Sequence, residues 1–484
     1  MPTAKSPPSL ALVIFASCFP LLLAAAAVAQ ETPAAAPASE IDWPGLYAEA
    51  GQYFRGYLRY DTSNPPGDVN SAIGFLKKIL DIEEIKYETF SAAPGKVNLV
   101  ARLPGPPGVK PLLLMSHADV VPVVAADWSH PPFRAEYQDG YVWGRGTIDN
   151  KAHGIMALMT LVTLKRGNVA LRRGVEMMVN ADEEIGGALG AKWMVENHWD
   201  AIDPAFAINE GGGGTQNWLG SQGVTFRVAV AEKGPLWLKL VARGHSGHGS
   251  EPNPDNPNLI LIDALHRILA EQQPAQVVPV MDRAFGDVAP RMAFPGSFEL
   301  AHLGLPFMLR IASNGPLADY AVQALLRDTI SPTMLVSGIK ANVIPAKAEA
   351  TLDCRLLPGT GVDAFIEKIR NLIDDSRITI EVLQKPDGGD WISPTEGPAW
   401  DAINEVVRQD FPGALVVPSM MAGGTDSRFL RNKHVPAYGF VPIVLDRGEY
   451  RRIHGVDERL STENLNHGIK ATYDLTLKLC AKQP

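Results

Sequence analysis

From about residue 42 to residue 230, short apolar runs alternate with longer stretches of helical period. That rhythm marks an α/β sheet with mostly parallel strands. Strands are predicted at 97–103, 111–116, 174–180 and 204–208. Residues 152–165, apolar with few charges, read as a buried crossover helix. Beyond Lys233-Gly234 the pattern changes. A strand at 236–242, a helix at 258–271, a strand pair at 333–339 and 348–356, a helix at 363–375 and a strand at 378–382 follow in that order. This β-α-β-β-α-β order is the ferredoxin-like arrangement, interrupted at 273–332 by a stretch of mixed helical character. After about residue 389 the first rhythm resumes, with a helix at 399–409 and strands at 415–417 and 437–442. The expected organisation is a small domain, 231–388, inserted into a larger α/β domain made of 42–230 and 389–484.

The N-terminus departs from this pattern. No charge appears between Lys5 and Glu31, and residues 10–23 are strongly apolar. Ala27-Val28-Ala29 then offers a small-x-small cleavage site before Gln30, so 1–29 reads as a signal peptide of an exported protein. An uncleaved anchor is the competing reading, because the apolar run is nearly bilayer length. The Ala- and Pro-rich segment 30–41 reads as a flexible leader, and no membrane span is expected after cleavage.

Composition narrows the function classes. Among 484 residues, 46% are apolar and 20% charged, which excludes a disordered chain and a polytopic membrane protein. Lys and Arg number 44 against 53 Asp and Glu, a net charge of −9, the wrong sign for a nucleic-acid binder. Three cysteines cannot build a disulfide framework, and removal of the signal would leave only Cys354 and Cys480.

The chemistry sits just after the predicted strands. The strand at 111–116 leads into His117-Ala118-Asp119, that at 174–180 into Asp182-Glu183-Glu184, and that at 204–208 into Glu210 and four glycines. In open α/β sheets, sites form at the carboxyl ends of strands, so these side chains would share one crevice. The loop Gly144-Arg145-Gly146-Thr147-Ile148-Asp149-Asn150-Lys151 adds a carboxylate before the buried helix. Imidazole with carboxylate suits zinc, cobalt or manganese better than calcium, which prefers oxygen alone. Taken singly, each acid is an ordinary solvated charge and each histidine an ordinary structural one.

These segments, with Ser116-His117-Ala118-Asp119-Val120-Val121-Pro122-Val123, Asn209-Glu210-Gly211 and the late His454-Gly455, resemble the M20 family of zinc exopeptidases and aminoacylases. The likeness is greatest to its carboxypeptidase S-like and N-acyl-amino-acid hydrolase branch. It runs from about residue 45 to the end, in five segments in the family's order. The resemblance implies a zinc-exopeptidase α/β catalytic domain with an inserted lid or dimerisation domain. It also implies two zinc ions, with cobalt or manganese as substitutes. His117 and Glu210 would bind one ion, Glu184 and His454 the other, and Asp149 would bridge them. Glu183 would be the general base and Asp119 would orient His117. The implied reaction is hydrolysis, through a metal-activated bridging water, of an N-acyl amino acid or a peptide's C-terminal bond.

Within the inserted domain, Gly244-His245-Ser246-Gly247-His248 lacks the final glycine of a serine-hydrolase elbow. The resemblance assigns His248, rather than His245, to the reaction's oxyanion, often across a dimer. It assigns Asn342 and Arg355 to a substrate clamp, and Gly424 and Thr425, in Gly423-Gly424-Thr425-Asp426-Ser427-Arg428, to a backbone cradle. A guanidinium suits a carboxylate because it donates two parallel hydrogen bonds. The alternatives are a dipeptidase of the same fold, which would need a further acid for a free amine, and an inactive metal-binding or solute-binding protein. Retention of Glu183 with all five ligands speaks against inactivity.

Overall fold

The computed structural model describes residues 41–482 apart from 306, 389 and 390. The expected signal peptide lies outside the described residues. Among the described residues, no helix is long and apolar enough to cross a membrane, and the buried Cys354 and Cys480 are unpaired.

A large mixed sheet organises the molecule. Its centre runs Val175–Asn180, Leu112–His117, Phe206–Asn209 and Ala437–Gly439, all parallel. The strand Leu112–His117 shows why this centre is buried on both faces. Leu112 and Leu114 enter one hydrophobic cluster, Leu113 and Met115 another, as the two-residue period of a strand requires. The crossover helix Lys151–Arg166 follows the expected one closely and is buried through nearly all its length. It packs against the C-terminal helix Thr462–Cys480 and the N-terminal helix Trp43–Leu58.

Two antiparallel features lie outside the expected strands. Lys86–Ala93 pairs with Lys96–Leu103 at one edge. Val224–Glu232 runs antiparallel to Ala437–Gly439 and Gly213–Gln216, and parallel to Leu415–Met421. The parallel grammar therefore breaks just past the strand that ends at Asn209, and also at Lys96–Leu103, which runs antiparallel to Val175–Asn180.

The second sheet has four antiparallel strands: Gly234–Arg243, Thr329–Ser337, Lys347–Leu356 and Ile378–Gln384. Numbered along the chain they lie 4-1-3-2, the ferredoxin-like order, with helices Pro257–Ala270 and Val362–Ile373 contributing to its core. The segment between the first helix and the second strand goes elsewhere. Val280, Met281, Ala284, Phe285 and Val288 of helix Pro279–Val288 pack into the core of the large sheet, where Phe285 stacks on Trp218. Lys233, buried at the junction, donates to the carbonyls of Ala324 and Arg327 and to Thr329 Oγ1.

Candidate active site

Side chains from separate parts of the chain meet at the carboxyl ends of the central strands. His117, 1% exposed at the last position of its strand, places Nε2 3.0 Å from Asp149 Oδ1 and 3.5 Å from Glu210 Oε2. The other oxygen of Asp149 lies 3.0 Å from His454 Nε2, which is also 3.3 Å from Glu184 Oε2. One carboxylate thus faces both imidazoles, with a glutamate beside each. His117, Asp149 and Glu184 can bring one donor atom each within 4.8 Å of one another, as can His117, Glu183 and Glu210.

The adjacent Glu183 and Glu184 diverge because the chain turns sharply there. Asp182 adopts φ 72 and a short 3-10 turn, Glu183–Ile185, follows. Glu183 then faces His117 and Glu210, whereas Glu184 accepts from Val121 N at 3.1 Å and faces His454. Asp119 secures this turn: its carboxylate accepts from Glu183 N and Glu184 N, each at 3.2 Å, and from Asn64 Nδ2 at 2.8 Å. Toward His117 the nearer Asp119 atom is its main-chain oxygen, 2.9 Å from Nδ1, with the carboxylate at 3.6 Å.

The electrostatics match a cation site. Among the described residues, Asp149, Glu183, Glu184 and Glu210 have no lysine or arginine as ion-pair partner, although all four are largely buried. Burial, reinforced by the Glu210 charge, pushes Glu183 well above the carboxylate range. Burial also raises Glu210 and brings Glu184 up to about 7. Burial opposes the Asp149 charge as well, but hydrogen bonds from His117 and His454 hold it below the usual range. Those contacts with Asp149 and Glu184 lift His454 to about 10. Buried like charges of this density need a compensating cation, and oxygen with imidazole donors suits a divalent transition metal.

Several supports were not assigned roles from the sequence. Buried Glu458 accepts from Gly146 N, Ile148 N and Asp149 N at 3.1, 2.7 and 3.1 Å and pairs with Arg145. It ties the Asp149 loop to the loop of His454, whose φ of 60 is uncommon for a residue with a side chain. Asn150 bridges His117 N and Glu210 Oε2 at 3.0 and 2.8 Å. Lys96 pairs with Asp182 at 2.7 Å, and Asn180 donates to Asp426 at 2.9 Å. A Cβ on Gly212 would collide with the carbonyl oxygens of Arg227 and Gly439, so the ribbon after Glu210 needs glycine there.

Matching the chain to known families decides its kinship. The model of peptidase family M20/M25/M40 matches residues 113–478.

The chain belongs to peptidase family M20.

It is a hydrolase of that family. It is 31% identical over 381 residues to the probable carboxypeptidase S-like 2 of Dictyostelium discoideum, covering 76% of this chain and 71% of that one. It is 34% identical over 363 residues to the N-fatty-acyl-amino acid synthase/hydrolase PM20D1 of Xenopus tropicalis, covering 73% and 69%. Its fold resembles the M20 family metallo-carboxypeptidase Sso-CP2 of Sulfolobus solfataricus, with TM-score 0.67 at 18% identity, covering 89% of this chain and 99% of that one.

The expected substrate residues of this M20 chain fall into two groups. Gly424 and Thr425 line the same cavity as Asp149, Glu183, Glu184, Glu210 and His454, but the Thr425 N–H is already donated to Glu232. His248, Asn342 and Arg355 do not line that cavity. His248 is exposed and bonded to Ser250 at 2.7 Å, and Asn342 O accepts from Gly249 N at 2.9 Å, so both stand at the short antiparallel ribbon of Gly247–His248 and Val343–Ile344. Arg355 is held by Asp353 through two hydrogen bonds of 2.7 and 3.0 Å. His245 lies 3.2 Å from Asp255.

Proposed function

We propose that the chain hydrolyses the amide bond of an N-acyl amino acid or the C-terminal bond of a peptide, using two zinc ions. The observation that carries this reading is Asp149, whose two oxygens face His117 and His454 separately. A carboxylate shared in this way fits a bridge, with His117 and Glu210 holding one ion and Glu184 and His454 the other. With ions held there, the site would gain a water of lowered pKa and a means to polarise the scissile carbonyl. Glu183, beside His117 and Glu210, takes the proton of the attacking water and returns it to the departing nitrogen. Asp119 fixes the turn that aims Glu183 and backs His117. The names of the two relatives supply the substrate classes.

The remaining roles belong to the same reading. Residues 231–388 are inserted between 42–230 and 389–484, their four-stranded sheet and its two helices forming the lid while helix Pro279–Val288 packs back on the large sheet, and 1–29 direct export. His248 and Asn342 lie off their own chain's cavity, which fits service across a dimer. The strand Thr329–Ser337 offers an edge for that dimer, with Met334, Leu335 and Val336 each more than half exposed. Arg355 meets a substrate carboxylate only by exchanging Asp353 for it, and Gly424 with Thr425 shapes the cavity wall. The test is a panel of N-acyl amino acids and blocked dipeptides with the zinc-loaded protein. Release of the C-terminal amino acid is expected. A chain that binds two zinc ions and cleaves none of them overturns the reading.

A further inference from the structure

The cavity that opens on the donor set measures about 260 Å³. Beyond the acids and His454, its wall is largely aliphatic: Met421, Val441, Ile443, Leu445 and Ile453 face it across the ribbon of residues 211–214. Such a wall suits an extended hydrocarbon segment. Arg227 places a positive charge on the same wall.

Arg227 stands on Val224–Glu232 opposite Gly213. Its guanidinium carbon lies 5.6 Å from the Trp218 ring centre and 5.5 Å from that of Tyr450. These contacts hold the planar group in place while its edges remain donors. Yet its Nε is buried with no partner, and its one hydrogen bond is a long 3.5 Å contact to Thr215 Oγ1. Three other guanidiniums are held by carboxylates. Arg431 and Arg145 are locked to buried Glu232 and Glu458, and Arg355 to Asp353. Among the described residues no carboxylate pairs with Arg227. A buried donor left open in a cavity is a demand for an acceptor.

Position along the wall says which part of a substrate would supply it. Thr215, toward which the guanidinium points, is five residues beyond Glu210. Arg227 itself pairs with Gly213, three residues beyond Glu210, and at about 3.3 Å per extended residue that register stands on the order of 10 Å from the donor set. The carboxylate of the released amino acid is attached to the carbon that carries the scissile nitrogen, too close to span that gap. The acceptor lies at the end of a spacer, and the aliphatic wall fits the hydrocarbon spacer that an acyl side supplies.

We propose that Arg227 makes this cavity selective for substrates whose acyl side carries an apolar segment ending in a carboxylate. This rests on the amide-hydrolase reading and names the substrate class within it. Two sources carry that chemistry: a dicarboxylic acyl group, and an acidic side chain on the residue before the scissile bond.

The test measures kcat/KM for the zinc-loaded full chain on two matched pairs. N-suberoyl-leucine and N-octanoyl-leucine differ by a carboxylate in place of a methyl. Blocked Glu-Leu and Gln-Leu differ by a carboxylate in place of an amide. The acidic member of at least one pair is expected to be favoured about tenfold or more, as a charge-assisted pair of hydrogen bonds would give. In Arg227→Met that ratio falls to near one or below. In Arg227→Lys, which keeps the charge but loses the planar fork, it falls part-way. The pair that responds identifies the source. Hydrolysis of neutral members with no acidic preference overturns the inference and leaves amide hydrolysis standing, as does an Arg227→Met loss that leaves both ratios unchanged. A chain that cleaves none of the four substrates overturns the amide-hydrolase reading and this inference with it.

Discussion

Two groups of site residues differ in what holds them. At the strand ends, His117, Asp149, Glu183, Glu184 and Glu210 are largely buried and fixed by hydrogen bonds from separate loops. On the short ribbon of Gly247–His248 and Val343–Ile344, His248 is exposed, and among the described residues its ring is bonded only to Ser250 two residues away. The first group is preorganised within one chain, where electrostatic terms are strong. The second acquires a target only when another surface comes to it. The difference separates chemistry from completion: one region is built, and the other is offered.

The sharpest way to break this contrast is at Glu183. Glu183→Ala is expected to lower amide hydrolysis by about 10³-fold or more, with elemental analysis still finding near two metals per chain. Unchanged turnover would remove Glu183 from the chemistry. Next comes Glu458, which touches no expected ligand side chain yet holds the Asp149 loop. Glu458→Gln leaves the Arg145 charge uncompensated, so a loss of about 3 kcal/mol in unfolding free energy is expected. A drop in kcat of roughly 10- to 100-fold should accompany it. Full activity at full stability would show that the tie is dispensable.

On the lid, His248→Ala should cost about tenfold or more in kcat without changing metal content. If the histidine serves across a dimer, mixing His248→Ala with Glu183→Ala protein recovers part of the activity. A larger effect from His245→Ala would reverse the assignment, and a monomeric solution mass would remove the cross-chain role.

The smallest expected effect isolates burial from metal binding. Glu176 is a carboxylate outside the donor set, raised to about 7 by burial. Its native pKa lies above the unfolded value, so the native chain holds the extra proton between roughly pH 4.5 and 7 and stability falls as pH rises through that window. Glu176→Gln should therefore stabilise the chain by roughly 1 kcal/mol above pH 7 and by almost nothing near pH 4. Equal Tm shifts at both pH values would contradict the burial account.

Most of the cluster was legible because His117, Glu183, Glu184 and Glu210 follow recognisable apolar runs and Asp149 sits in a compact motif, whereas His454 came only through the family resemblance. The lid's strand order was legible for the same reason, since periodicity reports strands and helices locally. Glu458 was not, because a charged residue in Asp457-Glu458-Arg459 reads as solvated unless the loop folded over it is known. Nor did local pattern reveal that helix Pro279–Val288 packs on the large sheet, or that Val224–Glu232 reverses direction. Both depend on partners distant in sequence. The Asp119–His117 relation was partly legible: the pair was found, but not that a main-chain oxygen makes the closer contact.

Ala437–Gly439 lies between Phe206–Asn209 and Val224–Glu232, in the interior of the large sheet. The growing chain therefore makes its flanking strands some two hundred residues before the one that joins them. Until that late piece arrives, the sheet has a slot in its middle, and His454 and the Glu458 tie do not yet exist. Any partial product that ends before residue 437 therefore lacks the strand that closes the sheet, together with the histidine and the glutamate tie that complete the cluster at its strand ends.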